Sequence, residues 1–598
     1  MIRFPKPTVE QFFQTYNITN FTISDDESRL LFSTNLNGKM NVWGMDLPQR
    51  YPYLFANTEQ ACSFLKTDPN KKYVLGGFDT DGDENYKIVA FPYAGGNGKV
   101  ILGENKKEKY YYASLSEDGK RLYYITSEEN PQFLNGFVYD LEKEQSENLY
   151  TGENAPTFIS TVSQNENYIV LIQMFANTYK VGYLKDRTTG KSICLSQDAK
   201  DIHEFNDAIF ISDEELLFVT NEQSEYNYIV KYHISTKKRE VLCQFSDESV
   251  TGIQWHKDTK TLYIITEKGV EDYIYRLQEE DTEPVSVGCP LDTIDMVKVS
   301  NSGNVYVLGR GATQPFNIYR LNDDSWEQLT DNRVLGVTKE QMVDPEVVTY
   351  PTFDGKDIEA LWFKAHPEQD NGHVIFWPHG GPQAAERKMF RAMFQCFINR
   401  GYSIFAPNFR GSTGYGATFK KLVEQDWGEG PRLDCVAGIE WLFSTGKCKR
   451  DRLFVLGGSY GGYMTLLLAG RHPEYFRGVI DIFGVSNLFT FINSVPEHWK
   501  PIMERWVGDP ERDKERLEKD SPITYLSTMT KPMLVIQGAN DPRVVKEESD
   551  QIVHALKKQG TEVDYLVLED EGHGFSKKEN EIAVYKKILD FLQTHTSK

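Results

Sequence analysis

Between residues 21 and 335, short runs of β-branched and aromatic residues alternate with polar turns, and the turn-and-run unit recurs at a regular interval. Ser24-Asp25-Asp26 leads into Leu30-Leu31-Phe32, Asp68-Pro69-Asn70 into Tyr73-Val74-Leu75, and Ser116-Glu117-Asp118-Gly119 into the run at 122–125. The series continues with Ser163-Gln164-Asn165 before 168–171, Ser212-Asp213 before 216–219, His256-Lys257-Asp258 before 262–265, and Ser300-Asn301-Ser302-Gly303 before 305–308. Seven copies spaced by about 44 to 49 residues match one four-stranded propeller blade each and are too long for leucine-rich or helical repeats. The pattern predicts a seven-bladed β-propeller over 21–335. A pair of β-sandwiches is the competing arrangement, but it does not require such regularity.

After about residue 340 the period changes. Short continuous apolar runs at 373–377, 402–406, 453–456, 479–482, 533–536 and 563–567 read as buried strands of a mostly parallel sheet. Helical stretches at 433–443, 463–470 and 549–559 lie between them, so 340–598 is predicted to be an α/β domain. The segment 1–20 precedes the first blade, and 7–13 reads as a short capped helix.

Composition narrows the function classes. A formal charge of −21 disfavours nucleic acid and anionic membrane as partners, because such binding rests on Lys and Arg neutralising phosphates, and it serves solubility instead. The seven cysteines are odd in number, scattered, and never in a CxxC pair, so neither a disulfide framework nor a zinc site is indicated. The start at Met1-Ile2-Arg3-Phe4 lacks an apolar signal core, and no run reaches the roughly 18 residues of a membrane span. The expected compartment is the cytoplasm.

The chemistry concentrates in the second half. Gly457-Gly458-Ser459-Tyr460-Gly461 is a G-x-S-x-G between a predicted strand and a predicted helix, the context of a nucleophile elbow. A serine hydroxyl needs a histidine to take its proton and a carboxylate to fix that histidine's tautomer, and in α/β-hydrolases these follow in the order Ser, acid, His. Five histidines follow Ser459. His573 stands on a glycine-flanked loop just past the last clear strand, whereas His472 and His554 fall on helices. Asp541 follows the run 533–536 through a short loop and is the favoured acid. Asp481 lies within its strand and reads as a buried, hydrogen-bonded carboxyl, with the acid's role as its alternative. An oxyanion hole needs two backbone N–H donors. Tyr460 supplies the first, and His379-Gly380-Gly381-Pro382, after the run 373–377, supplies the second, with Gly381 the favoured donor.

Together these motifs resemble the prolyl oligopeptidase family over the whole chain. Asn408-Phe409-Arg410-Gly411-Ser412-Thr413-Gly414-Tyr415-Gly416 and Gly457-Gly458-Ser459-Tyr460-Gly461-Gly462-Tyr463 carry the likeness, and His379-Gly380-Gly381-Pro382 is similar to the acylaminoacyl-peptidase branch. Prolyl oligopeptidases and dipeptidyl peptidases have a tyrosine where His379 stands, so here a backbone donor must serve. The resemblance implies a serine peptidase acting on short peptides, N-acylated ones among the candidates, with 1–20 packed on the hydrolase domain and no metal or other cofactor. It marks Arg543 as a substrate clamp, with a salt bridge as its alternative, and Val544 as its neighbour in the substrate site. Arg410 and Asp434 read as structural supports. The paired glutamates Glu128-Glu129 and Glu214-Glu215 lack the surroundings of the dipeptidyl peptidases' amine-binding motif, which disfavours that activity. A carboxylesterase or lactonase with the same triad and a non-catalytic propeller scaffold are the competing functions. Self-association into a homo-oligomer is left open by the sequence.

Overall fold

The structure, a computed structural model, describes residues 5–104 and 107–597; residues 1–4 of the predicted N-terminal segment lie outside the described range. Seven four-stranded antiparallel sheets follow one another along the chain, from Ile18–Ile23 in blade 1 to Ser325–Gln328 in blade 7. The repeating polar turn joins the first and second strands of a blade, so each unit begins one strand earlier than the turn. Its chemistry explains its recurrence. Ser24 Oγ donates to Asp26 Oδ1 (2.8 Å) and accepts the N–H of Arg29 (3.0 Å). Ser116 does the same with Asp118 and Arg121, and Ser163 with Asn165 and Tyr168.

The second strand of each blade is buried on both faces and packs alternately to either side. Leu31 meets Val74 and Phe78 of blade 2, while Leu30 meets Tyr306 and Leu308 of blade 7. Every blade takes its four strands from consecutive sequence. The ring therefore closes between blades 7 and 1 by side chains, with no shared strand.

The second domain is an eight-stranded sheet in the order β1-β2-β4-β3-β5-β6-β7-β8. Its strands are β1 (Glu346–Pro351), β2 (Asp357–Phe363), β3 (Val374–Phe376), β4 (Ser403–Pro407), β5 (Leu453–Gly458), β6 (Gly478–Ile482), β7 (Met533–Gly538) and β8 (Val563–Leu568). The six apolar runs read from the sequence are the parallel part. β1 and β2 are an antiparallel addition that the run criterion did not anticipate. Alternate residues feed two cores: Val455, Val479 and Val535 one face, Phe454, Ile480 and Leu534 the other. A short N-terminal helix, α1 (Val9–Phe13), completes the second face. Gln11 Oε1 accepts the Thr8 N–H at its start (2.7 Å), Phe13 stacks on Tyr585 (4.8 Å), and Lys578 Nζ donates to the Phe13 carbonyl (2.5 Å).

The domains meet through matched charges. Lys420 pairs with Glu204 (2.9 Å), Arg543 with Glu84 (2.6 Å), Lys577 with Asp81 (3.0 Å), and Arg387 with Asp272. Among the described residues no helix is long and apolar enough to cross a membrane, and all seven cysteines are free thiols.

Candidate active site

Ser459 sits where β5 ends and the helix Tyr460–Arg471 begins, with φ 57° and ψ −122°, a conformation that non-glycine residues rarely adopt. The flanking glycines are sterically required. A Cβ on Gly461 would lie 2.1 Å from the Pro378 carbonyl oxygen, and one on Gly457 would lie 2.3 Å from the Gly461 oxygen. The chain can thus turn from strand to helix only by packing backbone on backbone, which pushes the serine outward.

His573 Nδ1 is 2.6 Å from Asp541 Oδ2. The other carboxylate oxygen, Oδ1, accepts the N–H groups of Arg543 (2.9 Å) and Val544 (3.0 Å). Asp541 is therefore fixed in orientation, and the imidazole must carry its proton on Nδ1, leaving Nε2 free to accept one. The His573 loop is shaped by the buried Glu571, whose carboxylate accepts the N–H groups of Ser576 (2.9 Å) and Lys577 (3.0 Å). The Phe483 ring lies 4.5 Å from that of His573.

Gly380 packs on the nucleophile turn: a Cβ there would lie 3.2 Å from the Gly458 oxygen and 3.5 Å from Ser459 Cβ. His379 is buried beneath, stacked on Phe409 (4.2 Å), with Nδ1 2.7 Å from the Gly380 carbonyl oxygen and Nε2 2.8 Å from Ser412 Oγ, whose hydroxyl donates to the Phe409 carbonyl (2.6 Å). Burial pulls its pKa down to about 4, so it is a neutral strut. The loop then passes through Gly381 at φ 128°.

The two substrate-site candidates separate. Arg543 lines a cavity of about 580 Å³ together with His573, Asp79, Glu84 and Tyr86, and its guanidinium is held by Glu84. Val544 is 3% exposed, within the hydrolase core, and its N–H is spent on Asp541. It thus supports the acid and does not line the cavity. Asp481 is fully buried, does not touch His573, and accepts the Gly484 N–H (3.0 Å). Arg410 and Asp434 form a buried bidentate pair (2.8 and 2.7 Å).

Sequence reasoning missed the propeller's contribution. Blade 2 reaches the catalytic loop directly, since a Cβ on Gly82 would lie 2.5 Å from the Gly572 nitrogen and one on Gly572 would lie 2.1 Å from the Gly82 oxygen. Asp79, beside it, is pushed up to about 6 by burial. The acidic run Asp79-Thr80-Asp81-Gly82-Asp83-Glu84 was visible, but nothing local tied it to residues almost 500 positions away.

Residues 388–598 match the family model described as the prolyl oligopeptidase family. A dipeptidyl peptidase family member 6 from Caenorhabditis elegans is 39% identical over 404 residues, covering 61% of this chain and 54% of that protein. Dipeptidyl aminopeptidase BIII from Pseudoxanthomonas mexicana is 40% identical over 224 residues, covering 37% of this chain and 32% of that protein. The chain thus spans about half, or less, of the length of these curated relatives. A puromycin-hydrolyzing peptidase from Mycobacterium tuberculosis shares the fold, with a TM-score of 0.86 at 17% identity, over 99% of this chain and 96% of that one. Over residues 388–598, within its hydrolase domain, the chain is thus similar to the prolyl oligopeptidase family.

Proposed function

We propose that this protein is a serine peptidase that hydrolyses short peptides through an acyl-enzyme on Ser459. The observation that carries the reading is the locked pair: Asp541, held by two backbone N–H groups, fixes His573 at 2.6 Å in the tautomer a general base requires. His573 Nε2 takes the hydroxyl proton as Ser459 Oγ attacks the carbonyl carbon. The oxyanion that forms is met by the N–H of Tyr460, with that of Gly381 as second donor. Collapse expels the amine, to which His573 returns the proton, and water then repeats the sequence on the ester. Fluorophosphonate should label wild type stoichiometrically, and equal labelling of Ser459→Ala would refute this assignment.

The cavity supports a finer reading. Asp79 and Glu84 on its wall are suited to an ammonium group, which favours substrates with a free amino terminus over N-acylated ones. The names of the two relatives agree with that preference. Free and N-acetylated versions of one peptide anilide distinguish the two. A higher kcat/KM for the free amine, lowered by Glu84→Gln, is expected, and preference for the acetylated peptide would overturn it. The free thiols support a reducing compartment, which we take to be the cytoplasm.

A further inference from the structure

Behind the catalytic pair lies a buried carboxyl that the mechanism does not use. We propose that Asp481 and Phe483 are positioning residues: Asp481, through the Gly484 N–H, holds Phe483 in the conformation that supports the His573 ring and the nucleophile turn. The inference rests on the triad proposed above.

The connection is short and continuous. β6 ends at Ile482, whose carbonyl accepts the Ser459 N–H (3.0 Å). The next residue, Phe483, has φ 42°, a strained value for an aromatic residue, and its own N–H is spent on the Ile536 carbonyl (2.7 Å). In that conformation its ring reaches His573 (4.5 Å) and Phe575 (5.9 Å), and one ring carbon would lie 3.3 Å from a Cβ on Gly458. One side chain thus touches the base's ring and the strand end that carries the nucleophile. Strain of this kind persists only where the surroundings over-determine it.

Asp481 is the determinant. Its Oδ1 accepts the Gly484 N–H at 3.0 Å, directly after the strained residue. Cβ atoms on Gly462 and Gly484 would fall 2.4 and 2.3 Å from that oxygen, so the carboxyl is clamped between the first turn of the helix Tyr460–Arg471 and the Phe483 turn. Its Oδ2 is buried without a hydrogen-bond partner, an arrangement fit for a neutral carboxyl and costly for a charged one. Burial accordingly pushes its pKa up to about 8. β5 and β7 present Gly457 and Val535, neither titratable, in register with it, and its own charge raises the phenol of Tyr565 on β8, which is hydrogen-bonded to Asp550 (2.8 Å). Above that pKa a negative charge appears under the turn that must stabilise an oxyanion, so kcat should decline.

The test is a set of kcat and KM profiles from pH 5 to 10 on one peptide anilide, with fluorophosphonate labelling and melting temperature measured alongside. Asp481→Ala and Phe483→Gly should lower kcat roughly 10- to 100-fold, the scale of a misplaced catalytic group, with KM changed less than about threefold. Asp481→Asn keeps an acceptor for Gly484 and should recover most of the Ala loss while abolishing the alkaline decline. Unchanged kcat in both Asp481→Ala and Phe483→Gly would overturn the proposal, as would an intact alkaline limb in Asp481→Asn. Should Asp481→Ala fail to fold, the Asn and Phe483 variants decide alone. Failure of the triad itself would appear separately, as labelling that survives Ser459→Ala.

Discussion

Asp541→Asn tests the tautomer argument by changing one atom. In the native site Oδ1 accepts two backbone N–H groups, from Arg543 and Val544, and Oδ2 faces His573. An asparagine could turn its NH₂ toward Arg543 and Val544 only by opposing two donors with a third. That would forfeit two hydrogen bonds and leave buried N–H groups unpaired, at about 1–3 kcal/mol each. The amide is therefore held with its oxygen on the backbone and its NH₂ toward His573. Nδ1 must then accept, the ring proton moves to Nε2, and the base faces Ser459 as a donor. Restoring the working tautomer requires the forbidden flip or an unmade hydrogen bond, a penalty of about 4–5 kcal/mol, or roughly 10³–10⁴ in kcat. Stability should hardly move, because the number of hydrogen bonds is conserved. Steady-state kinetics on a peptide anilide, with a melting curve on the same preparation, reads both quantities. More than a tenth of wild-type kcat, or a rate loss matched by a melting temperature lower by about 5 °C or more, would refute the reasoning.

Gly461→Ala should abolish activity and destabilise the fold by about 3 kcal/mol or more, since its methyl meets the Pro378 carbonyl at 2.1 Å; wild-type kinetics and melting temperature would contradict this. His379 has a folded pKa of about 4 against an ordinary 6.5, so the folded state binds fewer protons between these values. Its contribution, on the order of 3 kcal/mol, is complete above pH 6.5 and lost as pH falls toward 4; urea midpoints unchanged from pH 7 to 4 would rule it out. Blade 2 closes over the catalytic loop at Gly82 and Gly572, so one cleavable sequence set in peptides of increasing length should lose kcat/KM steeply, and a value that stays flat up to a denatured protein would exclude a filter.

The sequence made the chemistry legible where it is local. The elbow needs glycines within two residues of Ser459, and the repeating Ser-x-Asp/Asn turn writes its hydrogen bonds within five. β1 and β2 escaped because they flank the parallel core: β1 is mostly exposed, and β2 alternates at its start before the short apolar run Ala360-Leu361-Trp362-Phe363 that could have marked it. Val544 looked like a substrate contact because the motif is read as a string, whereas its N–H and side chain both turn inward to the acid and the core. Phe483 could not be found at all, since nothing in Ile482-Phe483-Gly484 reveals a positive φ at its centre. Glu84 and Arg543 form an ion pair across 459 positions, a separation no local pattern spans.

The helix Val9–Phe13 has a consequence for how the chain is made. Its partners are the hydrolase helices Ala392–Asn399 and Lys578–Thr596, and the carbonyls of Phe13 and Thr15 wait for the ammonium of Lys578. Each blade can assemble from contiguous sequence as it leaves the ribosome, at low contact order, but this first helix is too short to hold itself in water. At synthesis rates of about 5–20 residues per second, the helix Val9–Phe13 waits about half a minute or more for the helix Lys578–Thr596 to be made. Docking Val9–Phe13 on both hydrolase helices is then a late step of folding, which follows the assembly of the blades that separate them in sequence.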